Sequence, residues 1–267
     1  MSLTIEQRAL ASNSAGEALV QVDREGAIAR LTLNRPDKYN VLSRAMIASL
    51  KEALTSLASH PEIRVVVLAA EGKAFSAGHD LAEMGSETGI DELRTLFASC
   101  TDLMLTIRNL PQPVIARVQG VATAAGCQLV AMCDLAIASS DARFAVSGIN
   151  LGLFCATPSV ALSRNVSQKA ALEMLLTGDF IDAATARERG LVNRVVAAES
   201  LDADIDRLTA SIAAKSPAAI AAGKRLFYDQ LELPIEAAYA RASEVMACNA
   251  VLDDAREGIA RFTKRTR

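Results

Sequence analysis

Two stretches of the chain leave backbone N–H groups bare among small residues: KAFSAGHDL at 73–81 and QGVATAAGCQ at 119–128. Each follows an apolar segment of strand character, RVVVLA at 64–69 and VIARV at 114–118. N–H groups exposed in this way suit the stabilisation of a developing oxyanion or enolate, and a helix beginning in the second stretch adds its dipole. Close helix packing explains either stretch taken alone. His79 lies in the first, and its ordinary pKa range suits proton transfer; a ring that only lines a pocket is the plainer explanation. Cys155 becomes a nucleophile only if something lowers its pKa, and the sequence sets no base beside it, so a small buried residue is the plainer explanation there too.

The elements that position these stretches alternate. Residues 17–22 and 27–33 read as strands around a turn at 23–26, and Ser43 can cap a helix running to Ala58. Within that helix Ala45, Met46, Ser49, Leu50, Ala53, Leu54 and Leu57 recur at helical spacing. The continuous apolar run 64–69 suits a parallel sheet covered on both faces. A helix over about 91–108, the strand 114–118, a small-residue helix from Ala125 and a strand at 135–138 follow. From Gln168 the pattern is mostly helical, ending in segments 216–230, 234–247 and 253–264. This divides the chain into an arm at 1–16, an α/β core at 17–200 and a helical region at 201–267. A doubly wound nucleotide-binding sheet is the rival architecture, but no G-x-G-x-x-G follows the first strand and no Walker loop is present.

Composition narrows the partners. With 28 basic and 31 acidic residues in 267, the net charge of −3 gives no global pull toward nucleic acid or an anionic membrane. There is no Trp, and aromatic residues make up only 4%, which argues against a base-stacking platform. Five cysteines without a C-x-x-C pair fit a reducing compartment, and two histidines, His60 and His79, with scattered cysteines lack metal-ligand spacing. No secretory signal pattern or bilayer-length apolar run is evident, so the expectation is a cytoplasmic protein without a metal, a membrane anchor or a nucleic-acid partner.

Taken in order, the motifs resemble the crotonase (enoyl-CoA hydratase/isomerase) superfamily from about Ala18 to Arg265. They are NRP at 34–36 with Asn40, AFSAGHD at 74–80, AAGCQL at 124–129, CDLA at 133–136, EMLLTG at 173–178 and EGIARF at 257–262. GHDL at 78–81, the segment from Gly148 to Val166 and ALEMLLTG at 171–178 resemble, within it, the branch called enoyl-CoA hydratase domain-containing protein 3. The resemblance implies an α/β fold: a crotonase-like ββα spiral core with a helical C-terminal trimerisation region, commonly a hexamer of two trimers. It implies coenzyme A thioester as substrate and no cofactor. It puts the oxyanion N–H groups at His79 and Ala125. It puts contacts to coenzyme A at Asp37, Lys38, Tyr39, Ala77 and Leu81, with Phe262 and Arg265 reaching the ligand of a neighbouring subunit. The C-terminal apolar residues Leu226, Phe227, Leu231, Ile235, Tyr239, Val245 and Met246 agree with such an assembly.

One part of the pattern is missing. Hydratases of this family use two glutamates, whose places fall on Gln128 and Gly148; a third acid position, used by isomerases, falls on Ala156. Gln cannot accept a proton at neutral pH, and a positioned acid/base contributes about 10²–10⁴-fold. The expectation is therefore an acyl-CoA-processing protein with little ordinary hydratase activity, or else an acyl-CoA-binding pseudoenzyme or regulator. Restoring acids with Gln128→Glu and Gly148→Glu together is expected to raise hydration, provided the pocket has room.

Overall fold

The computed structural model describes residues 16–87 and 89–265, apart from the Arg265 side chain. Of the expected arm at 1–16, residues 1–15 lie outside the described residues.

The first strands, β1 (Val20–Glu25) and β2 (Ile28–Leu33), form an antiparallel hairpin turning at Gly26, which takes φ +56°. Helix α1 (Arg44–Leu57) follows, with the Ser43 side chain accepting from the Met46 N–H at 3.2 Å as its cap. Its buried face is Met46, Ile47, Ser49, Leu50, Ala53, Leu54 and Leu57; Ala45, expected on that face, is exposed, and Ile47 takes its place. Strand β3 (Val65–Ala70) is buried at every position, as a strand covered on both faces must be.

From β3 onward a unit repeats: a strand in one sheet, a short strand in a second, then a helix. The long members β3, β5 (Val114–Val118) and β7 (Leu135–Ser139) pair in parallel, and β10 (Arg194–Val196) extends them, giving a six-stranded sheet in the order β1-β2-β3-β5-β7-β10. The short members β4 (Ala74–Ser76), β6 (Val121–Thr123) and β8 (Arg143–Ala145) pair in parallel in a second sheet, closed by antiparallel β9 (Ile181–Asp182). Helices α2 (Leu81–Ser86) and α3 (Ile90–Asn109) follow β4, α4 (Ala125–Met132) follows β6, and α5 (Ala156–Leu162) follows β8. This is the expected ββα spiral. The sequence expectations place no strand in 71–80 or around Gly120, because three-residue strands are too short to show alternation.

The main core lies between the sheets and α1, α3 and α4, with Phe75 and Phe144 among its largest buried side chains. The outer face of the long sheet (Val65, Val67, Ile115 and Ile137) is covered by Leu201 and Ile205 of α8 (Leu201–Ala213). Between α5 and α8 lie α6 (Gln168–Thr177) and α7 (Ala183–Glu188); the chain ends in α9 (Pro217–Gln230), α10 (Ile235–Ala250) and α11 (Asp253–Arg265). Helix α9 is tied to the core by Lys224, whose Nζ donates to Asp134 Oδ2 at 2.6 Å and to the carbonyls of Ile107 and Gln112 at 3.0 Å. Tyr228 donates to the other Asp134 oxygen at 2.8 Å.

Candidate active site

Three loops meet where β4 and β6 end. The 3-10 turn Pro36–Lys38 leads into Tyr39 and Asn40, both at φ 52°. Asn40 is fully buried and holds that left-handed pair in place: its Oδ1 accepts from the Arg35 N–H at 2.8 Å, and its Nδ2 donates to the carbonyls of Glu71 at 2.8 Å and Ala74 at 2.9 Å. The Gln119 amide grips the same stretch, donating to the carbonyls of Ala70, Gly72 and Ala74. Ala77 donates its N–H to the Tyr39 carbonyl at 3.0 Å, and Lys73 Nζ lies 5.4 Å from the centre of the Tyr39 ring. Asp37, Lys38, Tyr39 and Ala77 are thus gathered around one loop. Leu81, at the start of α2, is 58% exposed beside it.

The two bare-backbone stretches touch. Gly78 takes φ +90°, and a Cβ built on it would stand 2.9 Å from the Ala124 Cβ, 3.0 Å from the Thr123 carbonyl oxygen and 3.1 Å from the Ala125 nitrogen. Its carbonyl is pinned by the Leu42 N–H at 2.7 Å. Ala124 itself is an alanine at φ 50°, ψ −121°, anchored by its N–H to the Ala145 carbonyl at 3.0 Å. No side chain caps α4 behind it. Among the described residues no acceptor takes the N–H of His79 or of Ala125. The start of α4 presses against β4, where a Cβ on Gly126 would lie 2.2 Å from the Ser76 carbonyl oxygen, so glycine is required there.

Two side chains at this junction carry buried polar atoms without partners among the described residues, His79 Nε2 and Gln128 Oε1. The His79 ring meets Phe97 of α3 edge-on, with centroids 5.5 Å apart at 84°. Burial lowers its pKa to about 4, so at neutral pH the ring is uncharged. Burial likewise pushes the Cys127 thiol up to about 12 and raises Cys155, which leaves neither as a thiolate.

Gly148 lies in the 3-10 turn Ser147–Leu151 with an ordinary negative φ, but a Cβ on it would stand 2.6 Å from the Leu153 carbonyl oxygen and 2.7 Å from the Cys155 Sγ. The room on which a gain from Gly148→Glu was conditional is absent at this position. The neighbouring Ser147 hydroxyl pairs with Thr123 at 2.9 Å. Asn150 is exposed beside Gly178, and Ala156 is exposed at the start of α5.

The C-terminal positions stand apart. Phe262 is 74% exposed on α11, which packs on α10, and the Arg265 side chain lies outside the described residues. Two open hollows, of about 380 and 700 Å³, are lined by α1 and α3 and by the β1–β2 turn and α8, away from the three loops. Among the described residues no group of three or more His, Cys, Asp or Glu could hold a metal ion, and no helix is long and apolar enough to cross a membrane.

The profile of the enoyl-CoA hydratase/isomerase family matches residues 23–267. The chain belongs to this family. It is 45% identical over 247 residues to the mitochondrial enoyl-CoA hydratase domain-containing protein 3 of Xenopus laevis, covering 92% of this chain and 84% of the relative. A crystal structure of an enoyl-CoA hydratase from Mycobacterium smegmatis superposes with a TM-score of 0.92 at 58% identity, covering 93% of this chain and 97% of the other. The human domain-containing protein 3 superposes with a TM-score of 0.90 at 43% identity, covering 92% and 98%. The fold and the branch resemblance read from the motifs hold. The cytoplasmic assignment does not: the relatives from frog, rat, mouse, zebrafish and human are all named as mitochondrial. Unpaired cysteines report a reducing compartment, and that property does not separate the cytoplasm from the mitochondrial matrix.

Proposed function

We propose that this protein binds an acyl-CoA thioester with its carbonyl oxygen at the backbone N–H groups of His79 and Ala125, which stabilise negative charge developing there. The observation that supports this reading is the closeness of Gly78 to Ala124 and Ala125, beside two N–H groups for which no acceptor is found among the described residues. The uncapped start of α4 adds its dipole to the same point. Coenzyme A lies along the loops of Asp37, Lys38, Tyr39, Ala77 and Leu81. In a trimer or hexamer, Phe262 and Arg265 reach a neighbouring subunit's ligand; the exposed Phe227, Leu231, Ile235, Tyr239 and Met246 of the C-terminal helices support such an assembly.

The reaction is not ordinary hydration. Gln128 is an amide, Gly148 has no room for a side chain, and Ala156 offers nothing to titrate. His79, neutral and held against Phe97, is the remaining group next to the thioester that can exchange a proton. The test is a pair of measurements on the unmodified protein: binding of a non-reactive acyl-CoA, and hydration of crotonyl-CoA. Binding with hydration well below about 10 s⁻¹ is expected; turnover at or above that ordinary enzymatic rate overturns the assignment of the missing acids. Absence of binding overturns the thioester site itself. A protein that sequesters acyl-CoA without turning it over is the second reading, favoured by the same acid-free positions.

A further inference from the structure

Ser76, the last residue of β4, is fully buried between the two bare-backbone stretches. Its hydroxyl donates to the Asn40 carbonyl at 2.9 Å and accepts from the Gly78 N–H at 3.3 Å. Its own carbonyl oxygen lies against the start of α4, where Gly126 has no room for a side chain. One residue thus touches the loop of Asn40, the turn before His79 and the helix that begins at Ala125.

The His79 N–H takes its direction from Gly78. In a planar trans peptide the carbonyl and the N–H point opposite ways, so fixing the Gly78 carbonyl fixes the His79 N–H. The Leu42 N–H holds that carbonyl at 2.7 Å. A single hydrogen bond leaves the peptide able to swing, because glycine has wide conformational freedom and this one lies at φ +90°. The Ser76 hydroxyl holds the other side of Gly78. It accepts from the Gly78 N–H, for which no backbone acceptor is found among the described residues. With its own proton committed to the Asn40 carbonyl, the hydroxyl presents a lone pair to Gly78. Asn40 is in turn fixed by its bonds to Arg35, Glu71 and Ala74.

We propose that Ser76 is a positioning residue: its hydroxyl aims the His79 N–H at the point that the Ala125 N–H also faces, without touching the ligand itself. The proposal rests on the thioester reading above. Ser76→Ala leaves the Asn40 carbonyl and the buried Gly78 N–H without this partner, and the Gly78–His79 peptide is then free to turn away from the site. Preorganised donors stabilise charge because they need no reorganisation as it develops, and a donor that swings loses that advantage.

The experiment is calorimetric titration of the full chain with butyryl-CoA and with S-butyl-CoA, a thioether that lacks the carbonyl oxygen. The unmodified protein is expected to bind the thioester at least about tenfold more tightly. In Ser76→Ala that ratio is expected to fall by about threefold or more. A loss of packing alone weakens both ligands together and keeps the ratio, an outcome that overturns the positioning role and leaves the thioester site standing. A ratio near one in the unmodified protein overturns the thioester reading and the proposal with it. Ser76→Cys, close in size but with weaker hydrogen bonds, decides by the same ratio if Ser76→Ala does not fold.

Discussion

Gly148 and Cys155 compete for one space: a Cβ on the glycine would stand 2.7 Å from the cysteine Sγ, with the Leu153 carbonyl oxygen at 2.6 Å on another side. Backbone conformation is not the obstacle, since the φ of Gly148 is not positive. The obstacle is volume, and part of it is backbone that cannot rotate away. Gly148→Ala is therefore expected to lose about 1–3 kcal/mol through overpacking, read as a lower denaturant midpoint at unchanged slope. Gly148→Glu, alone or with Gln128→Glu, is expected to misfold rather than gain hydration. A soluble double variant with crotonyl-CoA turnover above the unmodified protein would refute this account of the pocket.

At Gly78 both space and conformation are closed. Its φ of +90° disfavours any side chain, and a Cβ would meet the Ala124 Cβ at 2.9 Å. Gly78→Ala should push the His79 loop away from the start of α4, separating the two N–H groups. The expected result is loss of acyl-CoA binding by tenfold or more, about 1.4 kcal/mol, measured by titration on protein shown to be folded by circular dichroism. Unchanged affinity would mean that the two N–H groups do not act on one oxygen.

Much of this site was legible because its residues are local in sequence. The bare backbone of 73–81 and 119–128 announces itself by composition, and the Ser43 cap and the buried β3 follow from simple patterns. What escaped was set by tertiary contact. Strands β4, β6 and β8 have three residues each and acquire strand character only from one another. The Gln119 clamp on 70–74 and the Phe97 ring against His79 join segments with no common signature. Gly148 could be read as a missing acid, but only its neighbours reveal that the place is filled.

The His79 ring makes stability depend on pH in a defined window. Its folded pKa is lowered to about 4 by burial, against about 6.5 in the unfolded chain. Between those values the unfolded state binds the additional proton, so stability is fully present above pH 6.5 and declines as the pH falls toward 4. The upper bound on this contribution is about 3 kcal/mol. Thermal melts of the unmodified protein and of His79→Gln from pH 7.5 to 4.5 check it. The variant is expected to show a flatter dependence, and parallel curves would contradict a buried neutral ring.

Lys224 gives the strongest test of how α9 is fastened. Its side chain is 7% exposed and that of Asp134 12%, so the pair is largely out of water, and burial lowers the lysine pKa despite the carboxylate beside it. Asp134 also accepts from the Val114 N–H at 2.7 Å and from Tyr228, which ties the start of β5 to α9 through one carboxylate. Lys224→Met keeps the stem and removes the charge, leaving Asp134 without its cation and the carbonyls of Ile107 and Gln112 without that donor. Breaking one side of a buried pair costs about 3–5 kcal/mol. Tyr228→Phe removes a single hydrogen bond to a charged group and should cost about 1.5–3 kcal/mol. The two losses should not add, because both act on Asp134. A denaturation cycle over the two single variants and the double variant measures that coupling. Strict additivity would show that Lys224 and Tyr228 fasten α9 independently.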